Sequence, residues 1–272
     1  MCQNHDVVAP KVVSLEGMHR RDIVRGLWGG TMLLGVAGTS GCASVGKLLE
    51  PSDEQLIPLA AEAWAQTKAE TPISNDPKAN ARLQAVGKKI SAIVPVQNAA
   101  WEFVVFDSKE LNAFVLPGGK VGFYKGLIDF VDNDDQIAAV MGHEAGHVVA
   151  RHAAKRAGRQ QATQLGVALG GMAAGGVLSR DQQDAAMQIM TGIGVYGVIL
   201  PFSRDNELQA DKLGVDYMHQ CGYDVKQSVR LWEKMGAAST NRPTEWMSTH
   251  PNPETRIAEL RQYITSKGYA TF

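Results

Sequence analysis

Apolar positions along the 272-residue chain fall into three patterns, and each predicts a different kind of element. Short runs rich in aromatic and β-branched residues mark strands. "WEFVVFD" (101–107) is one, and "NAFVLPGGKVGFY" (112–124) reads as strand, turn, strand around Pro117-Gly118-Gly119. Longer mixed stretches that follow capping residues mark helices. Ser52 with Asp53 and Glu54 opens one that runs to about Glu70, with acids at the positive end of its dipole. Asp76 caps and Pro77 opens a second, to about Val94. Asp132 or Asn133 caps a long third helix, with Asp134 and Asp135 in its first turn, ending near Gly158. Further helices are predicted at 160–178, 181–199, 203–220, 225–238 and 253–266, with no strand after Tyr124. Strands early and helices later predict an α+β fold, mostly helical, with a small early sheet.

The third pattern is apolar and glycine-rich: Leu27–Gly38, "LGVALGGMAAGGVL" (165–178) and "IMTGIGVYGVILP" (189–201). Each is shorter than a bilayer needs. The later two serve either close helix packing or a mobile lid or membrane-contacting hairpin. The first follows Arg20, Arg21 and Arg25 and leads through small residues to Cys42, which is the three-part layout of an export signal. "TSGC" is similar to a lipobox, which makes Cys42 the expected lipidation site, although Thr39 stands where leucine is usual; cleavage after Ala43 is the alternative. The expected organisation is an export signal over 1–42, a helical segment and linker over 43–76, and one domain over 77–272. The expected location is the periplasm, with membrane anchoring through Cys42.

Composition narrows the partners. A formal charge of -1 gives no footprint for nucleic acid. Three cysteines, Cys2, Cys42 and Cys221, are too few for a disulfide framework, and Cys221 is expected to be a buried thiol.

Candidate chemistry sits on the long helix, in "HEAGH" (143–147). Residues i and i+4 lie about 40° apart around a helix axis, so His143 and His147 face one way and can grip one ion. Glu144 lies about 100° from His143, at the edge of that face, where it can reach an attacking water without being a ligand. Zinc suits such a pair, because imidazole nitrogens bind it well and it accepts an open fourth position. His152, five residues beyond His147, is turned about 500° along a continuous helix and is expected to point away from the pair as a structural or surface histidine. A third ligand must come from elsewhere. "SRDNELQAD" offers Glu207 and, four residues on, Asp211, which share a helix face. Glu207 is expected to bind the metal and Asp211 to accept a hydrogen bond from a ligand imidazole. The alternative is a solvated acidic face.

With "NAFVLPGG", "HEAGH", "NELQAD" and "THPNPETR" in this order, the chain resembles the gluzincin metalloendopeptidases that include the CAAX prenyl proteases, the HtpX heat-shock proteases and the periplasmic assembly-quality-control proteases. The resemblance covers roughly residues 80 to 265 and is strongest to the exported branch, without multiple membrane spans. It implies a zincin-like domain with one Zn2+ per chain, held by His143, His147 and Glu207, with Glu144 as general base and Asp211 behind the ligands. It implies that Asn112, Ala113 and Phe114 form an edge strand that pairs with an extended polypeptide substrate; the alternative is a plain hairpin strand. It places His250 and Arg256 near the metal, either stabilising an oxyanion or, for His250, occupying the metal in a latent state. Unfolded or misassembled envelope proteins are the implied substrates. A rival from another class is an assembly factor that holds clients on the strand edge with structural zinc.

Overall fold

The computed structural model describes residues 45–96, 98–173, 202–238, 250 and 253–272, all within one compact unit. The export signal, Cys42 and the expected helix at 181–199 lie outside the described residues. So do residues 174–178 of the first of the two later glycine-rich stretches and all of the second, 189–201.

Helix α1 (Asp53–Glu70) begins where its capping residues predict: the Ser52 amide donates to Gln55 Oε1 at 2.9 Å, and Leu56, Ala60 and Trp64 form its buried stripe. In α2 (Pro77–Ser91) the Asp76 carboxylate accepts from the amides of Lys78 and Ala79 at 2.9 and 3.1 Å. Such a cap contributes about 1 kcal/mol. Its buried positions, Ala79, Leu83, Val86 and Ile90, recur at helical spacing. It stops three residues short of the expected Val94.

Three strands follow: β1 (Glu102–Phe106), β2 (Ala113–Leu116) and β3 (Lys120–Tyr124). The sheet order is β1-β3-β2, with β1 parallel and β2 antiparallel to β3. The β2–β3 turn needs two left-handed residues, and Gly118 (φ 82°) and Gly119 (φ 85°) supply them. Among the described residues no strand pairs with the outer side of β2. A short helix, α3 (Lys125–Phe130), comes directly after β3. Sequence patterning does not predict it, because six residues carry no side-chain cap and too few turns for a periodic signal.

Helix α4 (Asp134–Val149) starts at Asn133, whose Oδ1 accepts from the Gln136 amide at 3.0 Å. Every residue from Gln136 to His147 is buried, so α4 is the axis of the domain rather than a surface helix. Against it pack α2, β2, α6 (Arg204–Gln220) and α7 (Lys226–Ala238), with α8 (Pro253–Ser266) closing over α6 and α7. The approach of α4 to α6 is set by glycine. A Cβ on Gly146 would lie 2.8 Å from the Ala210 carbonyl oxygen, and one on Gly214 2.8 Å from the His143 amide nitrogen. Only backbones without side chains at these points let the two helices come this near.

Two expectations are corrected here. The long helix does not run to Gly158: it stops at Val149, Arg151 takes a left-handed conformation (φ 55°), and a new helix, α5 (His152–Ala173), begins in another direction. The Arg151 guanidinium holds this corner by bonding to Asp53 and, at 2.7 Å, to the Pro51 carbonyl. Cys221 is half-buried rather than buried, with its Sγ 3.3 Å from the Lys89 carbonyl.

Candidate metal centre

The side chains of α4 and α6 meet at the close crossing just described. His143 and His147 project from one face of α4 one turn apart, with Nε2 atoms 3.0 Å from each other. Glu207 reaches them from the first turn of α6: its oxygens lie 3.6 Å from His143 Nε2 and 3.5 Å from His147 Nε2. His250 arrives from the segment before α8, its Nδ1 3.1 Å from both Glu207 oxygens and 3.3 Å from His143 Nε2. Donor atoms of these four buried residues all lie within 4.8 Å of one another. Glu144 is also buried, with its Oε1 3.4 Å from His250 Nε2.

This donor set fits a divalent cation on two counts. Four ligands at zinc-like bond lengths sit about 3.3 Å apart at the corners of a tetrahedron; here the separations of His143 and His250 from each other and of His143, His147 and His250 from Glu207, with that between His143 and His147, run from 3.0 to 3.6 Å, and all four donors lie within 4.8 Å of one another. The charge also fits. Among the described residues the buried carboxylates are Glu144, Glu207 and Asp211, and the one buried guanidinium is Arg256. With neutral imidazoles the cluster carries a formal charge of -2, which a dication balances. Burial holds His147 well below the usual histidine range, with the neighbouring charges of His143 and His250 adding to the effect. That direction favours the neutral ring, the form that ligates.

Asp211 and Arg256 hold these donors in place. The Asp211 Oδ1 accepts from His143 Nδ1 at 2.8 Å, which leaves the Nε2 lone pair of that ring facing the centre. Arg256, fully buried on α8, grips Asp211 through both oxygens (2.7 and 2.6 Å). It also reaches Glu207 at 2.8 Å and the His250 carbonyl at 3.4 Å, and its guanidinium lies 3.4 Å from the Trp232 ring centre. Burial pushes both carboxyls up, but it is outweighed, for Asp211 by the Arg256 guanidinium and the His143 hydrogen bond and for Glu207 by the His250 hydrogen bond and Arg256, so both end below their ordinary values.

The structure thus brings His143, Glu144, His147, Glu207, Asp211, His250 and Arg256 to one place. Ala113 and Phe114 begin the edge strand β2, with Asn112 just before it, and β2 packs against α4, the helix that carries His143 and His147. The Phe114 ring turns to Trp64 and Phe106 on the other side of the sheet.

The expectation for His152 is overturned. It does not point away: its Nδ1 is 2.9 Å from His147 Nδ1, and its Nε2 is 3.0 Å from Gln209 Oε1. The angular count assumed a continuous helix, and the left-handed corner at Arg151 breaks it. Two more residues at the site carry no sequence signal. Phe202 stacks on His147 with ring centres 4.1 Å apart, and the Arg156 guanidinium lies over Phe202 at 5.1 Å.

A buried helix bearing an HExxH pair, crossed by a second helix that brings a glutamate to the same point, defines a metallopeptidase-type domain with the zincin arrangement of donors. The chain belongs to peptidase family M48, which it matches over residues 77–264. It is 33% identical over 179 residues to the mitochondrial metalloendopeptidase OMA1 of Schizosaccharomyces pombe, covering 65% of this chain and 50% of that protein. It is 31% identical over 204 residues to the beta-barrel assembly-enhancing protease of Escherichia coli K12, covering 72% of this chain and 41% of that protein. The bovine mitochondrial metalloendopeptidase OMA1 is 30% identical over 169 residues, 60% of this chain and 32% of its own length. The chain therefore spans half or less of the length of these relatives.

Proposed function

We propose that the chain is a zinc-dependent endopeptidase of the cell envelope, with its catalytic domain over 77–272, and that it cuts extended, unfolded or misassembled polypeptides. One observation carries the activity. His143, His147 and Glu207 converge with a buried Glu144 beside them, and a purely structural site has no need of that further group.

When bound, zinc polarises the scissile carbonyl and makes water acidic enough to attack near neutral pH. The protein's residues do the rest. Asp211 fixes the His143 tautomer, and Arg256 keeps Asp211 and Glu207 ionised and oriented. Glu144 takes a proton from the attacking water and delivers it to the leaving amine nitrogen. His250 occupies the fourth donor place, the position a catalytic zinc site keeps open. We assign the arrangement with His250 in place to a closed resting state from which this histidine withdraws when substrate enters.

Substrate is read as backbone. An extended chain would pair with the outer side of β2 near Ala113, once the Asn112 side chain, which accepts from the Ala113 amide at 2.9 Å, gives that amide up, and such pairing gives affinity with little sequence preference. The envelope location rests on the arginine-led apolar segment before Cys42, with Cys42 as the proposed lipid attachment point, and on the likeness to a beta-barrel assembly-enhancing protease. No helix among the described residues is long and apolar enough to cross a membrane.

Digestion of casein by the purified chain tests this reading. Cleavage is expected, its loss on treatment with 1,10-phenanthroline, and its return on adding zinc. Cleavage that persists under the chelator after metal removal is verified, or no cleavage with zinc bound, would overturn it.

A further inference from the structure

The two helix-borne imidazoles of the metal centre are backed differently. His143 Nδ1 faces a carboxylate, Asp211, which is itself gripped by Arg256. His147 Nδ1 faces another imidazole, His152, and His152 in turn faces the side-chain amide oxygen of Gln209. His152 is fully buried, so it carries no solvent that could take over either contact, and Gln209 lies on α6 two residues from both Glu207 and Asp211.

With the Gln209 amide oxygen facing His152, the far end of this chain of contacts gives a direction to each proton in it. Gln209 Oε1 can only accept, so His152 Nε2 must carry hydrogen and donate to it. A neutral His152 protonated at Nε2 has a bare Nδ1, which can only accept. His147 Nδ1 must then donate, and His147 Nε2 is left with its lone pair directed at His143, Glu207 and His250.

We propose that His152 is a positioning residue for the metal centre: a one-way His147–His152–Gln209 hydrogen-bond relay fixes the tautomer and orientation of His147 so that its Nε2 faces the ion. The corner at Arg151 exists in this account to bring His152 behind His147. Arg151 is held in its left-handed conformation by Asp53 and the Pro51 carbonyl, which makes the start of α1 part of the support of the site. The inference rests on the proposed zinc site. It adds that the second imidazole is held by a neutral relay where the first is held by an ionised carboxylate, so α4, α5 and α6 must all be docked for both ligands to be set.

The test uses zinc affinity, measured by competition with a chromophoric chelator, and imidazole nitrogen NMR. In a His152→Leu variant the buried His147 Nδ1–H loses its acceptor, and the zinc dissociation constant is expected to rise about 10–100-fold. His152→Asn, whose Oδ1 can stand where Nδ1 stood, is expected to recover most of that loss, which a role in filling space alone does not predict. Independently of any variant, long-range proton–nitrogen correlation on the zinc-loaded chain should show His152 protonated at Nε2 and not at Nδ1. Unchanged zinc affinity in a folded His152→Leu chain overturns the relay while leaving the zinc site standing. If that variant does not fold, the tautomer decides: hydrogen on His152 Nδ1 overturns the relay. Absence of zinc binding by the unaltered chain overturns both.

Discussion

A Glu144→Gln chain is expected to keep its fold and its zinc while its rate of peptide cleavage falls about 10²–10⁴-fold, the usual worth of a positioned general base. The amide has the carboxylate's shape, so the packing of a side chain only 6% exposed is preserved. It cannot take up a proton. Glu144 is not among the four clustered donors, so metal content should not follow activity down. Zinc content and thermal unfolding alongside casein cleavage separate the three quantities. Unchanged turnover of client proteins in this variant would instead favour a holding factor whose metal is structural.

The largest effect on stability is expected at Arg256. Among the described residues its guanidinium is the one buried cation facing Asp211 and Glu207, and it is fully enclosed. Arg256→Ala leaves two carboxylates buried without their partner, a change that costs about 3–5 kcal/mol. For a domain of this size that corresponds to a fall of roughly 6–20 °C in Tm. The effect should be greatest in metal-free protein, because a bound dication compensates part of the same negative charge. Arg256→Lys should recover only part of it: lysine restores a positive charge but not the planar fork that meets both oxygens of Asp211. Calorimetry in the presence of chelator is the check, and a Tm for Arg256→Ala within about 2 °C of the parent would mean that the carboxylates find another partner.

How much of this was legible in the sequence follows from the range of each interaction. His143, Glu144 and His147 are visible because four residues on a capped helix determine their relation. Helix starts at Asp53, Pro77 and Asp134 are visible because Ser52, Asp76 and Asn133 are local capping signals. Glu207 and Asp211 are legible only as a face of a helix that lacked a reason to be acidic; their meeting with α4 depends on Gly146 and Gly214 clearing the crossing, a tertiary fact. His250 and Arg256 entered through family resemblance alone, since nothing local in "THPNPETR" says that an arginine will be buried among carboxylates. The His152 reading failed for a sharper reason. Its geometry turns on one backbone conformation, at Arg151, where no glycine or proline advertises a break and where a tertiary ion pair to Asp53 supplies the constraint.

The claim beneath all of this is that His143, His147 and Glu207 converge on one divalent ion. Titration of the metal-free chain with zinc, beside a Glu207→Ala chain whose helices are intact by circular dichroism, tests it most directly. The account predicts one equivalent bound tightly by the parent and none retained by the variant; a parent that binds no zinc, or a variant that binds it equally well, would contradict it.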